Sequence, residues 1–266
     1  VRALGIHVPA AARGDGIDDL MVGSILVGGP GTYTGAAYVI FGHTGPFTAS
    51  VSLASTATLV GAVQYDLTGF SVSSAGDFNG DGFGDVIVSA PYSDVNRTNS
   101  GSTYVVFGHG GAFPSQIQLS QLSGTDGFAV HGLAGDYAGW SVSSAGDVNG
   151  DGLGDLIIGA PNAGGSKYYG AAYVLYGQTE PMGAVVNPAT LDAKHGFWVY
   201  GDYAGDFAGA SVSAAGDING DGFDDLIVGA PGADPPMRRG ARGVALRELT
   251  RHARPDRAPP RDRGGG

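Results

Sequence analysis

The chain has 266 residues, long enough to bury a core, and its 49 glycines, 14 prolines and 15% charged residues describe short strands and tight turns, not helices. Its formal net charge of −11 speaks against a phosphate-binding surface, which needs clustered Lys and Arg, and for bound cations. With no cysteine, disulfides, iron–sulfur clusters and thiolate zinc sites are excluded.

The N-terminus, Val-Arg-Ala-Leu-Gly-Ile-His, lacks a basic region followed by an apolar one, and no run of about 18 apolar residues occurs, so the expectation is no membrane insertion and no visible signal peptide. A phrase RGDGIDDLMVGS follows at 13–24, then GAAYVIFG at 35–42. The first full unit opens with FSVSSAGDFNGDGFGDVIVSAP (70–91) and continues with GSTYVVFG (101–108) and GFAVHG (127–132). A second full copy reads WSVSSAGDVNGDGLGDLIIGAP (140–161), GAAYVLYG (170–177) and GFWVYG (196–201), and a third opens with ASVSAAGDINGDGFDDLIVGAP (210–231). The openings lie 70 residues apart, and the N-terminal phrase is a damaged copy of the same motif.

Each unit offers four runs of four to eight β-prone residues bounded by Gly, Pro and Asp, which predicts an all-β fold of four-stranded propeller blades. A β-solenoid of tandem hairpins is the alternative, although a period near 70 is long for one. The expected units are 13–66, 67–136, 137–206 and a partial 207–236. About four blades make an incomplete propeller with unpaired edges, so the chain is read as part of a longer propeller or as one that assembles with another copy. Residues 237–266 turn abruptly to nine arginines and three acids. This Arg/Pro/Gly-rich tail is expected to be disordered, either as the product of an out-of-frame reading or as a basic segment for nucleic acid or anionic lipid.

Between the first two runs of each unit lies D-x-N-x-D-G-x-x-D. Calcium takes six to eight hard oxygens, and a loop wrapped around it contributes alternate residues while a glycine permits the sharp turn. Asp77, Asn79, Asp81 and Asp85 stand at positions 1, 3, 5 and 9, with the Phe83 carbonyl at position 7. Asp147, Asn149, Asp151, Leu153 and Asp155 repeat the set, as do Asp217, Asn219, Asp221, Phe223 and Asp225. An EF-hand is excluded because its bidentate Glu at position 12 is replaced by Val88, Ile158 and Val228, inside a strand. Asp, Asn and Gly also favour turns without metal, but three carboxylates within nine residues repel one another unless a cation lies between them. About three Ca²⁺ sites are therefore expected. The damaged copy keeps Asp15 and Asp19, but Ala11 and Arg13 replace its first two ligands, so no tight site is expected there.

The phrases GDVNGDGLGDLIIGAP (146–161) and GDINGDGFDDLIVGAP (216–231) resemble the FG-GAP repeats of the integrin α-chain N-terminal β-propeller and its bacterial relatives. The likeness covers roughly 13–236, with Gly-Phe, Gly-Trp and Gly-Ala in place of the leading Phe-Gly and Ser-Ala-Pro at 89–91. It implies a seven-bladed propeller with Ca²⁺ loops on one face, used in adhesion and recognition outside the cell.

Other signals are weaker. Arg13-Gly14-Asp15 coincides with the damaged loop, and Asn96-Arg97-Thr98 is a glycosylation sequon. His43 and His109 share a position with Gln178 and read as turn residues. Trp140, Trp198, Tyr137 and Tyr203 read as packing between blades or as a binding surface. No catalytic motif is present. The expected function is non-enzymatic: a calcium-stabilised module, secreted or at the cell surface, that recognises a protein or glycan. The alternatives are an accessory domain of a secreted hydrolase, phospholipase D-like, and a passive spacer in a surface protein.

Overall fold

A computed structural model describes residues 3–8, 12, 14–27, 33–48, 50–53, 56–111, 113–233 and 244–247. The described residues form four sheets whose neighbouring strands are mostly antiparallel. The first contains β1 (Ala3–Val8), β2 (Asp19–Ser24), β3 (Ala36–Ile40) and β4 (Ala57–Val60). The second contains β5 (Val72–Gly76), β6 (Asp85–Ala90), β7 (Ser102–Val106) and β9 (Gly127–His131), and the third β10 (Ser141–Gly146), β11 (Asp155–Ala160), β12 (Ala171–Leu175) and β14 (Gly196–Tyr200). The fourth holds β15 (Ser211–Gly216), β16 (Asp225–Gly229) and β17 (Val244–Arg247). The four runs expected of each full unit are these four strands, in the order of an up-and-down meander. The sheets are blades of an incomplete propeller, without the closure of a barrel.

Three elements depart from expectation. The first unit has its opening strand, β1, paired along Ala3–Val8 with β2, although its sequence shares nothing with SVSSAG. Its last strand, β4, likewise lacks the GFxVxG phrase. At the other end, Val244–Arg247 pairs antiparallel with β16 from Leu226↔Arg247 to Gly229↔Val244. The repeat therefore does not stop at Pro236, and disorder does not describe these four residues; the rest of 237–266, apart from them, lies outside the described residues.

Two further short strands cross between blades. β8 (Gln116–Gln118) lies parallel to β4, pairing Leu59 with Ile117. β13 (Val185–Val186) does the same to β9, pairing Ala129 with Val185. Each is a strap that leaves its own blade after the third strand and covers the outer edge of the preceding blade, shielding an edge that would otherwise invite pairing. The strapped β9 has Phe128 and Val130 fully buried, whereas Phe197 to Tyr200 of β14 are only partly buried.

Alternation along the second strand of each blade builds the core. Val86 and Val88 face back to Met21, Val39 and Leu59 of blade one, while Ile87 faces forward to Leu156, Ile158 and Tyr173 of blade three. Ile157 in turn meets Leu226 and Val228 of blade four. Blades are thus two-sided and rely on their neighbours. The aromatics are divided: Trp198 stacks edge-on against Tyr173, 5.2 Å between centroids. Trp140 lies among Phe70, Tyr92 and Tyr137. Tyr203 is 64% exposed.

Where the third strand starts, Gly170 (φ +73°) abuts the linker into the next blade, forming a parallel bridge with Ala208. A Cβ there would overlap the Ala208 backbone, and Gly101 and Gly35 occupy the same place against Ala138 and Thr68. Gly170→Ala is expected to lower stability by about 2–3 kcal/mol, from left-handed strain plus a clash that only backbone movement relieves. Urea denaturation of the purified chain measures it.

Candidate metal centre

Each loop begins at a β-bulge. Register slips between Ser74 and Gly76, Ser144 and Gly146, and Ala214 and Gly216. The glycine closing each bulge has φ of +69°, +76° and +65° respectively, the left-handed geometry a bulge of this kind requires. The bulge turns the chain out of the sheet one residue before the first loop aspartate. Two more left-handed glycines, Gly80 (φ +74°) and Gly82 (φ +87°), then coil the loop.

Inside the second blade's loop the side-chain oxygens face inward onto amides. Asp77 accepts from Asp81 N–H at Oδ1 (3.0 Å) and from Gly82 N–H at Oδ2 (2.9 Å). Asn79 Oδ1 accepts from Asp81 N–H (3.0 Å), Asp81 Oδ1 from Phe83 N–H (2.9 Å), and Asn79 Nδ2 donates to Asp81 Oδ2 (2.8 Å). The third blade repeats every bond through Asp147, Asn149, Asp151, Gly152 and Leu153. In the fourth, Asp217, Asn219 and Asp221 keep the amide bonds, but Asn219 Nδ2 points to Asp225 (3.5 Å).

The ninth-position aspartate differs from the rest because it is buried. Asp85 accepts from Phe78 N–H at Oδ2 (2.9 Å) and from Gly108 N–H at Oδ1 (2.8 Å). Asp155 accepts likewise from Val148 N–H (2.8 Å) and Gly177 N–H (2.8 Å). Each carboxylate thereby ties its loop to the end of the blade's third strand. Burial, offset by those amides and reinforced by the carboxylates at positions 1 and 5, pushes Asp85 and Asp155 up to about 7. Asp225 has the Ile218 amide (3.0 Å). In the damaged loop Asp19 still makes both bonds, to Ala12 and Gly42 N–H, and Asp15 Oδ1 accepts from Ile17 N–H (3.0 Å). Ala11 and Arg13 lie outside the described residues, and with them the Arg-Gly-Asp reading. Asn96 of the sequon donates its Nδ2 hydrogen to Gly132 O (2.8 Å).

The donor chemistry of each full loop suits a hard cation: three carboxylates, one amide oxygen and a carbonyl, each oxygen keeping a second lone pair beyond its amide bond. Among the described residues no Lys or Arg is ion-paired to these carboxylates. The side chains are nonetheless closed onto the loop's own amides, and among the described residues no three His, Cys, Asp or Glu are gathered as a metal cluster. Asp77, Asn79, Asp81, Asp85 and the Phe83 carbonyl would hold the ion, with the corresponding sets in the other two loops. A bound cation would supply a crosslink between the loop and the start of the second strand.

The loops also stack on one another, which sequence reasoning missed. The position-8 amide of one loop donates to the position-1 carbonyl of the loop before it: Gly154 N–H to Asp77 O (2.9 Å) and Asp224 N–H to Asp147 O (3.0 Å). Asp224 Oδ2 additionally accepts from Asp147 N–H (2.7 Å). His109 and Gln178, read as plain turn residues, donate their backbone N–H to Ala12 O (3.0 Å) and Phe78 O (2.9 Å) of the preceding loop. At position 7, Phe83, Leu153 and Phe223 cover Gly14, Gly80 and Gly150 of the preceding loop, where a Cβ would strike them. The recurring apolar residue at position 7 was the available signal.

The acidic loops recur once per blade and sit at the blade boundaries. The FG-GAP repeat matches residues 68–106, 138–175 and 208–245. The chain carries three FG-GAP repeats. The three matched FG-GAP segments begin at the blade linkers and end in β7, β12 and β17. The FG-GAP region is homologous to integrin α chains. It is 34% identical to integrin alpha-PS5 of Drosophila melanogaster over 62% of this chain and 15% of that protein. Integrin alpha-5 of Xenopus laevis is 32% identical over 64% of this chain and 15% of its own length. The phosphatidylinositol-glycan-specific phospholipase D of Mus musculus is 32% identical over 69% of this chain and 20% of its own length. The chain thus spans about a seventh to a fifth of these relatives. Among the described residues, no helix is long and apolar enough to cross a membrane.

Proposed function

We propose that these FG-GAP blades bind Ca²⁺ through three loops, and that the module works without catalysis as a recognition or adhesion surface for a protein or glycan outside the cell. The observation that carries the reading is the repeated, uncompensated oxygen set at every boundary between full blades. Three loop carboxylates with no basic partner repel one another, and a divalent cation removes that repulsion. Extracellular calcium modules hold Ca²⁺ with affinities of roughly 10⁻⁴ to 10⁻³ M, and loops of that affinity fill where calcium is plentiful, as it is outside cells. The Ser residues shared by the two full units are strand positions, Ser73 and Ser74 in β5 and Ser143 and Ser144 in β10, which supports a non-enzymatic module.

Calorimetric titration of the chelated chain is expected to find three Ca²⁺ per chain. Asp77→Ala, Asp147→Ala and Asp217→Ala each remove one of them. A stoichiometry of four, or no heat at millimolar calcium, would refute the assignment. A second reading, an accessory domain of a secreted hydrolase, is favoured by the match to the phospholipase D. A catalytic domain encoded alongside these repeats would support it, and pull-down of a ligand with and without chelator separates both from a passive spacer.

A further inference from the structure

The linkers into blades two and three each carry a buried aspartate, and the groups around it differ between the two boundaries. Entering blade three, Asp136 Oδ2 accepts from Tyr173 O–H (2.6 Å) and from Leu133 N–H (3.2 Å). Its counterpart entering blade two, Asp66, is 2% exposed and hydrogen-bonded to Ser93, while its Oδ2 has no partner. An ionised carboxylate with one oxygen stranded in the interior is unfavourable, so the surroundings of Asp66 favour a bound proton.

From Ser93 the polar contacts run on. Ser93 Oγ lies 2.9 Å from Ser102 Oγ, and Ser102 Oγ lies 2.9 Å from His131 Nδ1. Ser102 and His131 stand opposite each other on β7 and β9. Both serines are fully buried, whereas His131 is partly exposed. Blade three places Ala163, Ala171 and Tyr200 at these three positions, so it has no such line of hydroxyls. Two further groups face the ends of the line. Asp94 adds its negative charge near Asp66, and Tyr104, which meets the His131 ring edge-on, is pushed up to about 12 by burial and stays neutral.

We propose that Asp66, Ser93, Ser102 and His131 form a proton relay through the boundary of blades one and two, by which the buried carboxyl exchanges its proton with solvent at the imidazole. Each serine has one hydrogen to donate, so the line must run in one direction or the other. With Asp66 protonated, its O–H donates to Ser93, Ser93 to Ser102 and Ser102 to His131 Nδ1, and the ring hydrogen is on Nε2. In the transfer each proton moves one place along, Nδ1 gains the last, and Nε2 releases its own to solvent. The product is an Asp66 carboxylate accepting from Ser93 and a neutral His131 whose Nδ1–H donates to Ser102. One proton has left, and only O–H and N–H bonds have changed. Ionising Asp66 while His131 keeps its Nε2–H form leaves one contact of the line without a hydrogen, so the two ends titrate together.

Long-range ¹H–¹⁵N NMR of the labelled chain in chelator, from about pH 5 to about pH 8, reads the protonation of each ring nitrogen. His131 is assigned by its loss in His131→Tyr, the residue blade three carries there. Its Nδ1 resonance is expected to shift from the unprotonated to the protonated position as pH rises through the Asp66 value of about 6. A lone imidazole only loses hydrogen as pH rises, so it cannot shift in that direction. Ser93→Ala and Ser102→Ala, each introducing the residue of blade three and checked for fold by circular dichroism, cut the line and are expected to abolish the shift. A wild-type His131 that never gains Nδ1 hydrogen across the range, or a shift that survives either serine variant, would overturn the proposal.

Discussion

Replacing Asp155 by alanine is expected to cost the folded chain about 4–5 kcal/mol and to depress its melting temperature more than removal of Asp147 or Asp151 from the same loop. The reason is the pair of amides it holds. Val148 N–H and Gly177 N–H each lie 2.8 Å from Asp155, whose side chain is fully buried. Truncation leaves two donors without an acceptor in the interior, at roughly 1–3 kcal/mol each, plus the space of the lost carboxylate. Asp155→Asn retains one acceptor oxygen but turns an NH₂ towards the other amide, so its loss is intermediate. Asp151 provides the internal control, because it is exposed and accepts from Leu153 N–H (2.9 Å) within the loop; Asp151→Ala is expected to cost less than half as much. Equilibrium denaturation in chelator, with calcium excluded from all samples, gives the three values. Equal losses for Asp155→Ala and Asp151→Ala would show that the two buried amides contribute nothing.

Without calcium, the chain is expected to lose stability steadily, with a falling melting temperature, as pH rises from about 4 to about 7. Four buried carboxyls set the sign. Burial raises Asp85 and Asp155 to about 7, and Asp66 and Asp136 to about 6, from 3.8. A group that binds its proton more tightly folded than unfolded stabilises the fold fully below the unfolded value, and that contribution is lost as pH rises through the folded value. The window is therefore about 4 to 7, and stability declines across it. A cation at the loops favours the ionised form of Asp85 and Asp155, so calcium is expected to flatten the decline and to stabilise most at the upper end. Asp136, whose Oδ2 accepts from Tyr173 O–H at 2.6 Å, lies outside the loops, and Asp136→Asn removes part of the slope that calcium leaves. Differential scanning at fixed pH steps tests this, and a chelated chain that grows more stable between pH 5 and 7 would contradict it.

What was legible in the sequence was whatever repeats locally. The second and third strands could be read from DLIIGA and AAYVL because an apolar run buried on both faces has one meaning in a repeat of this composition. β1 and β17 could not, since ALGIHV and VALR share no residue pattern with their counterparts and are recognised only by their pairing. The straps were hidden for a different reason: Gln116–Gln118 and Val185–Val186 are too short to show a period, and each completes a sheet formed by the preceding unit. At the loops, the oxygens and their order were plain. The burial of Asp85 and Asp155 was not, because it depends on Gly108 and Gly177, some 22 residues onward. Likewise Phe83 and Phe223 were read for their carbonyls, while their rings act on the glycines of another blade.

The straps bear on how the protein comes into being. Blade one is complete to Val60, but the neighbour of β4 is supplied by Gln116–Gln118; blade two is complete to His131, but the neighbour of β9 is supplied by Val185–Val186. During synthesis from the N-terminus each newly emerged sheet would wait, edge bare, while the ribosome makes most of the next one. Such an edge is a site for mispairing on a crowded polysome. Order of emergence, one blade sealing the last, is thus written into the connectivity, and a circular permutant opened between a blade and its strap would be expected to aggregate during translation even where its finished fold is sound.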